Sequence, residues 1–255
     1  MTVIHEQSEI RQRDLQLSRK ATVDYLDSLE AQILRHKGVE HPFLNRYRTT
    51  KLDLKNTHSL FLEFYYFIYH LPFYIAGMAM STRDERILRE LAINLVEETG
   101  GRQNINAKSS RREEMPHLDI YRNFLMKLGL REESIVSYGC LQSTVAVDAG
   151  ICKLYTQQPI EKSLGAMYAL ETMSGSMCSK LNDGLQHSGY DRAERFFFEL
   201  HSIREEGHAN GVFNAVQPYL DTSAAKQLFE SGIQEFMLLM ENFWDGVESI
   251  CGFSS

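Results

Sequence analysis

Apolar residues recur every three to four positions along almost the whole chain, and no stretch sustains the alternation of a strand, so the pattern predicts an all-α protein. The first predicted helix runs from about Glu9 to His36, with Leu15, Leu17, Val23, Leu26, Leu29 and Ile33 toward the core and Gly38 as its stop. The second, near Thr57 to Met80, is the most apolar part of the chain. Its length would cross a bilayer, but Glu63, His70, four tyrosines and Pro72 interrupt it and no basic flank accompanies it. It reads as a buried core helix, kinked at Pro72. A third helix is capped by Asp84 and runs through ERILRELAINLVEET to Gly100-Gly101. The polar stretch Arg102 to Pro116 then predicts a mobile loop. Helical periodicity resumes at His117 and breaks at Gly129. A long helix is expected over Glu132 to Gln157, carrying Ile135, Val136, Leu141, Val145, Val147, Ile151 and Leu154 and closed by Pro159. Further helices are expected over Glu161 to Gln186, Phe196 to Val216 and Ala224 to Ile250, with Phe236 and Trp244 as packing residues in the last.

Composition narrows the possibilities. No Pro/Gly/Ser-rich linker divides the 255 residues, which predicts one domain over 1–255 with a single large core. The net charge of −7, with Lys and Arg scattered among acids, argues against a nucleic-acid partner. Cys140, Cys152, Cys178 and Cys251 lack metal-finger spacing and fit reduced core residues of a cytoplasmic protein. The polar, mixed-charge N-terminus matches neither a signal nor a transit peptide, and no membrane partner is expected.

Candidate chemistry concentrates late in the chain. In FFFELHSIREEGHANGVFNAV, His201, Glu205 and His208 are offset by four and seven residues. On a helix they form one stripe within an arc of about 60°, along about 10 Å of axis. Imidazole and carboxylate donors on one helical face suit iron, manganese or zinc; the alternative is a solvated amphipathic face. Glu171 lies in the middle of an apolar face made by Leu164, Met167, Tyr168, Met173 and Met177, where a buried carboxylate needs a cation. A metal, Lys180, Arg192 or a histidine could supply it. Glu98 shares a face with Leu91 and with Asn94 or Leu95, whereas Glu97 is turned about 100° away, which favours Glu98 as the inward carboxylate. Glu63 and His70, seven residues apart on one face, are either rival ligands or a satisfied buried pair. The aromatic residues around them, Phe61, Phe64, Tyr65, Phe67, Tyr69, Phe73 and Tyr74, could wall a pocket or fill the core.

The order NLVEE-x-G, the histidine opening HLDIYRNFLMKLGL, then ALETMSGSM, then HSIREEGH resembles the haem-oxygenase-like diiron oxidases, over roughly Leu91 to Val216. The resemblance implies a haem-oxygenase-like bundle of about seven to eight helices. It also implies a six-residue ligand set, Glu98, His117, Glu171, His201, Glu205 and His208, for two Fe2+ ions that dioxygen oxidises. Glu205 stands where the family usually has aspartate, and the loop between Glu98 and His117 is long for the family. Leu170 stands where the self-sacrificing p-aminobenzoate-forming branch is expected to carry a tyrosine.

Such a centre would reduce dioxygen and use it to take hydrogen from, or add oxygen to, an organic substrate. The resemblance therefore implies an enzyme acting on a small carboxylate-bearing metabolite, with an amino acid, including an aromatic one, as the favoured substrate. Decarboxylation, C–C cleavage, N-oxygenation and nitrile formation are the reactions expected of the family. Lys153, Lys180 or an arginine could hold the carboxylate. A medium-chain fatty-acid decarboxylase, a cofactorless enzyme of the thiaminase or quinone-cofactor-synthase type, and a non-catalytic metal-binding bundle are the alternatives. The expected assembly is a homodimer.

Overall fold

The computed structural model describes residue 21 and residues 23–100, 115–202, 215–251 and 253. The described residues are helical throughout, with no strand among them. In chain order the helices are α1 (23–35), α2 (Pro42–Tyr47), α3 (Leu54–Ser81), α4 (Glu85–Thr99) and α5 (His117–Lys127). They are followed by α6 (Glu132–Val136), α7 (Gln142–Thr156), α8 (Ile160–His187), α9, described over 196–202, and α10 (Ser223–Ile250). None is long and apolar enough to cross a membrane.

Side-chain caps set most of the early boundaries. Asp53 accepts from Asn56 N at 2.7 Å to start α3, Asp84 from Arg86 N at 2.7 Å to start α4, and Thr222 from Ala225 N at 3.1 Å to start α10. His41 caps α2 through Nδ1, which accepts from Phe43 N at 3.2 Å. Gly100 ends α4 at φ +75°, a conformation that a side chain would strain. The helix α3 continues through Pro72.

The core lies between α3, α7, α8 and α10, with α4 and α5 laid on α3 and α2 against α8. At the α8–α10 crossing the backbones touch: a Cβ at Gly165 would overlap the Phe229 carbonyl, and one at Gly232 the Lys162 carbonyl. Phe236 and Trp244 are fully buried, and Trp244 Nε1 donates to Gly38 O at 3.1 Å.

Three expectations change. The single helix expected from Glu132 to Gln157 is two, broken at 137–141. Glu63, wholly buried on α3, accepts there from Tyr138 Oη at 2.7 Å and from Leu141 N at 3.1 Å. A buried carboxylate needs such donors, and a continuous helix would have withheld the Leu141 N–H. The break resets the helical phase, so Ile135, Val147, Ile151 and Leu154 are buried while Val136 and Val145 are exposed. Glu63 and His70 do not satisfy each other, since His70 Nδ1 lies 3.1 Å from Asp148 Oδ1. In α1, Leu26, Leu29 and Ile33 are buried as expected but Val23 is exposed. Leu15 and Leu17, and all but 115–116 of the expected polar loop at 102–116, lie outside the described residues.

Candidate metal centre

Four helices deliver the candidate ligands to one place. Glu98 comes from the last turn of α4, His117 is the first residue of α5, Glu171 sits mid-way along α8, and His201 is on α9. All four line one cavity of about 50 Å³. Glu205 and His208 lie outside the described residues.

His117 is the hub. Its Nδ1 lies 3.1 Å from Glu98 Oε1 and 3.3 Å from His201 Nε2, and the three donor atoms fall within 4.8 Å of one another. Two donors each about 2.1 Å from one ion, at angles of about 90–110°, stand about 3.0–3.4 Å apart, which is the spacing seen here. One lone pair already points into the cluster. His201 Nδ1 donates to Phe197 O at 2.7 Å, so its Nε2 presents a lone pair to the cluster. Phe197 also fixes the ring sterically, with centroids 4.1 Å apart. One carboxylate and two imidazoles, with a second carboxylate on the wall, fit iron in both donor type and charge.

Glu171 is 8% exposed, and the two cations that could have paired with it are engaged elsewhere. Lys180, nine residues on and so on the opposite side of α8, donates to Val39 O at 2.8 Å and to Glu40 at 2.5 Å. Arg192 bonds Glu199 at 2.7 Å. Lys180 and Lys153, the latter exposed on α7, are also absent from the cavity lining, which removes both as holders of a carboxylate there. Burial first, and then the charge of Glu171, push the Tyr155 phenol well above its usual value, so Tyr155 remains neutral.

Most of the remaining wall is apolar: Phe64, Phe67, Ile68 and Leu71 from α3, Leu170 and Met177 from α8, and Phe197. Of the aromatic residues on α3, Phe64 and Phe67 therefore wall the site, Phe61 is core, and Phe73 is exposed. Ser174 and Cys178 were not singled out by sequence as lining residues, although they follow Glu171 by three and seven positions on one helical face. The role of Phe197 was legible in the same way, four residues before His201, where a helical carbonyl meets a side chain.

These features define a class: an all-α bundle whose interior holds a carboxylate–imidazole cluster beside an apolar cavity, the arrangement of a metal-dependent oxidoreductase. The chain belongs to the iron-containing redox enzyme family, whose model matches residues 58–241. Among curated proteins it is similar to the 4-chloro-allylglycine synthase of Streptantibioticus cattleyicolor, with 45% identity over 248 residues covering 97% of this chain and 91% of that one. It is similar also to the 4-aminobenzoate synthase of Chlamydia pneumoniae, 22% identical over 226 residues, which cover 88% of this chain and 94% of that one. A solved domain of unknown function from Shewanella denitrificans, described as having a haem-oxygenase-like fold, superposes with TM-score 0.69 at 16% identity, covering 90% of this chain and 91% of that one. The haem-oxygenase-like architecture expected from sequence is thereby established, as is an iron-containing redox enzyme.

Proposed function

We propose that this enzyme is a dioxygen-dependent diiron oxidase that acts on a small amino acid. The observation that carries the proposal is the convergence of Glu98 Oε1, His117 Nδ1 and His201 Nε2 at ligand spacing, with Glu171 on the same cavity wall. Glu98, His117, Glu171 and His201 would hold iron, with Glu205 and His208, outside the described residues, as the remaining ligand candidates. Bound iron would supply the electrons and open coordination positions that dioxygen chemistry requires. The chain's own contribution is orientation and exclusion of water. Phe197 O holds the His201 proton on Nδ1 and aims Nε2 inward. Phe64, Phe67, Ile68 and Leu71 keep the reacting side of the cavity dry. The amino-acid assignment is supported by the 45%-identical relative, whose name makes an unsaturated amino acid its product.

The test begins with anaerobic iron loading and metal analysis, with two irons per chain expected. The ferrous protein is then mixed with dioxygen across a panel of amino acids and medium-chain fatty acids, and dioxygen uptake is recorded. Uptake accelerated by an amino acid, and lost in Glu171→Ala and His201→Ala, supports the reading. One zinc per chain, no accelerating compound, or variants that still bind two irons would each overturn it, and acceleration by fatty acids alone would move the substrate class.

A further inference from the structure

The helix α3 separates two cavities. Phe64, Phe67, Ile68 and Leu71 face the metal cluster, while Tyr65, Tyr66, Tyr69 and His70, roughly half a turn round the helix, face a second cavity. The second is the larger, about 320 Å³, within the range of about 300–1,000 Å³ common for small-molecule sites. Its remaining walls come from the α6–α7 break and from Arg122 on α5.

The polar groups in this cavity are held in place by protein partners that leave part of each unused. Arg122 Nε donates to Tyr65 Oη at 2.9 Å, and its Cζ lies 5.9 Å from the centre of that ring. Asp119 lies 3.8 Å from Nη1 and the Glu132 charge also acts on the guanidinium, but neither uses all five of its N–H groups, so donors remain for an anion. His70 Nδ1 lies 3.1 Å from Asp148 Oδ1. Burial first, and then a bond to the same carboxylate, hold the Tyr74 phenol well above its ordinary value, so Tyr74 also acts as a donor to Asp148. With the Nδ1 hydrogen committed to Asp148, the second nitrogen, Nε2, is the acceptor of the neutral ring. The rings of Tyr66 and Tyr69 meet His70 edge-on at 4.6 and 5.0 Å and provide flat apolar walls. Burial pushes the Cys140 thiol up to about 12, so it adds no charge.

We propose that this cavity binds a small aromatic carboxylate bearing a hydroxyl or amino donor. The carboxylate pairs with Arg122, the ring lies among the tyrosines, and the donor bonds His70 Nε2. The site needs no metal, and α3 stands between it and the cluster, so it goes beyond the iron reading and survives that reading's failure.

The probes are 4-hydroxyphenylacetate, phenylacetate without the donor, and 4-ethylphenol without the anion, titrated calorimetrically into iron-free and iron-loaded protein. One site is expected for 4-hydroxyphenylacetate, with the same affinity in both forms, and weaker binding of the other two. Arg122→Gln should weaken it by about tenfold or more, the effect of losing a charge-assisted hydrogen bond. Tyr65→Phe keeps the ring and releases the guanidinium, so it should give a smaller loss; helical circular dichroism of each variant controls for folding. His201→Ala, across α3, should keep the affinity. Three results would overturn the proposal: no saturable binding of any probe, affinity indifferent to both Arg122→Gln and Tyr65→Phe, or affinity lost in His201→Ala, which would move the ligand to the metal cavity.

Discussion

Among the described residues two groups of side chains bring three donor atoms within 4.8 Å of one another, Glu98–His117–His201 and His41–Asp245–Glu248. By proximity they are equivalent; they differ in what the anchored imidazole turns toward its neighbours. In the first, His201 gives its Nδ1 hydrogen to the Phe197 carbonyl and turns a lone pair toward its neighbours. In the second, His41 Nδ1 accepts the Phe43 N–H as the cap of α2, so the imidazole hydrogen is on Nε2, the nitrogen 3.2 Å from Asp245 Oδ1. There the anchored imidazole turns a hydrogen, and not a lone pair, toward the carboxylates; in the first group the hydrogen that a cation would displace is the one on His117 Nδ1, between Glu98 Oε1 and His201 Nε2. Glu248 meanwhile lies 3.9 Å from Arg46. A metal site is thus marked by which atoms carry hydrogens, as much as by which residues are close.

The sharpest break of this comparison is metal content. His201→Ala should lower iron affinity by more than about 100-fold, beyond the effect of removing an outer-sphere partner, whereas Asp245→Ala should leave it unchanged. Equal losses in equilibrium dialysis would make the two groups alike after all. Next in size is Glu63→Ala, which strands the Leu141 N–H and the Tyr138 hydroxyl. It should cost about 2–4 kcal/mol in urea unfolding of the iron-free protein, with dialysis still showing normal iron affinity. His41→Ala removes a cap and should cost about 1 kcal/mol, again without loss of iron. If His41→Ala depletes iron instead, the capping account of that imidazole is wrong.

The smallest effect concerns pH. His36 repeats the His41 arrangement, with Nδ1 accepting from Gly38 N at 3.0 Å. Burial, only partly offset by Glu241, lowers its pKa below the ordinary value of about 6.5. The folded state therefore binds the proton less readily than the unfolded one. Its contribution is complete above about pH 6.5 and is lost as pH falls through that value toward the folded pKa. The urea midpoint of metal-free protein should fall between pH 7.5 and 5.5, and less steeply in His36→Asn. Identical slopes would remove His36 from the account.

Helix existence was legible throughout, because burying one face of a long helix leaves a period that propensity alone does not erase. The caps at Asp84 and Gly100 were equally plain. The α6–α7 break was not, because its cause is a carboxylate seventy-eight residues earlier in sequence, Glu63, meeting Leu141. For the same reason Glu63 and His70 looked like partners: their seven-residue spacing is local, while the groups that satisfy them come from other helices. At the candidate site, Glu98 lies beside His117 and His201, yet Glu97, expected to turn away, is the more deeply buried of the two carboxylates. What sequence could not supply was the set of contacts between distant helices, such as the 3.3 Å approach of His117 Nδ1 to His201 Nε2, because they follow from packing.

The glycine crossing of α8 and α10 has the mechanics of a lever. Gly165 is the fulcrum, pressed against the Phe229 carbonyl, and Glu171 is carried six residues beyond it, about 9 Å along the arm. Any larger residue at the fulcrum pries the helices apart, and a rotation of about 5° there sweeps the carboxylate sideways by about 0.8 Å, several times the roughly 0.2 Å latitude of a metal–ligand bond. The aim of Glu171 is therefore set by an atom that is absent, at a crossing that touches neither metal nor substrate.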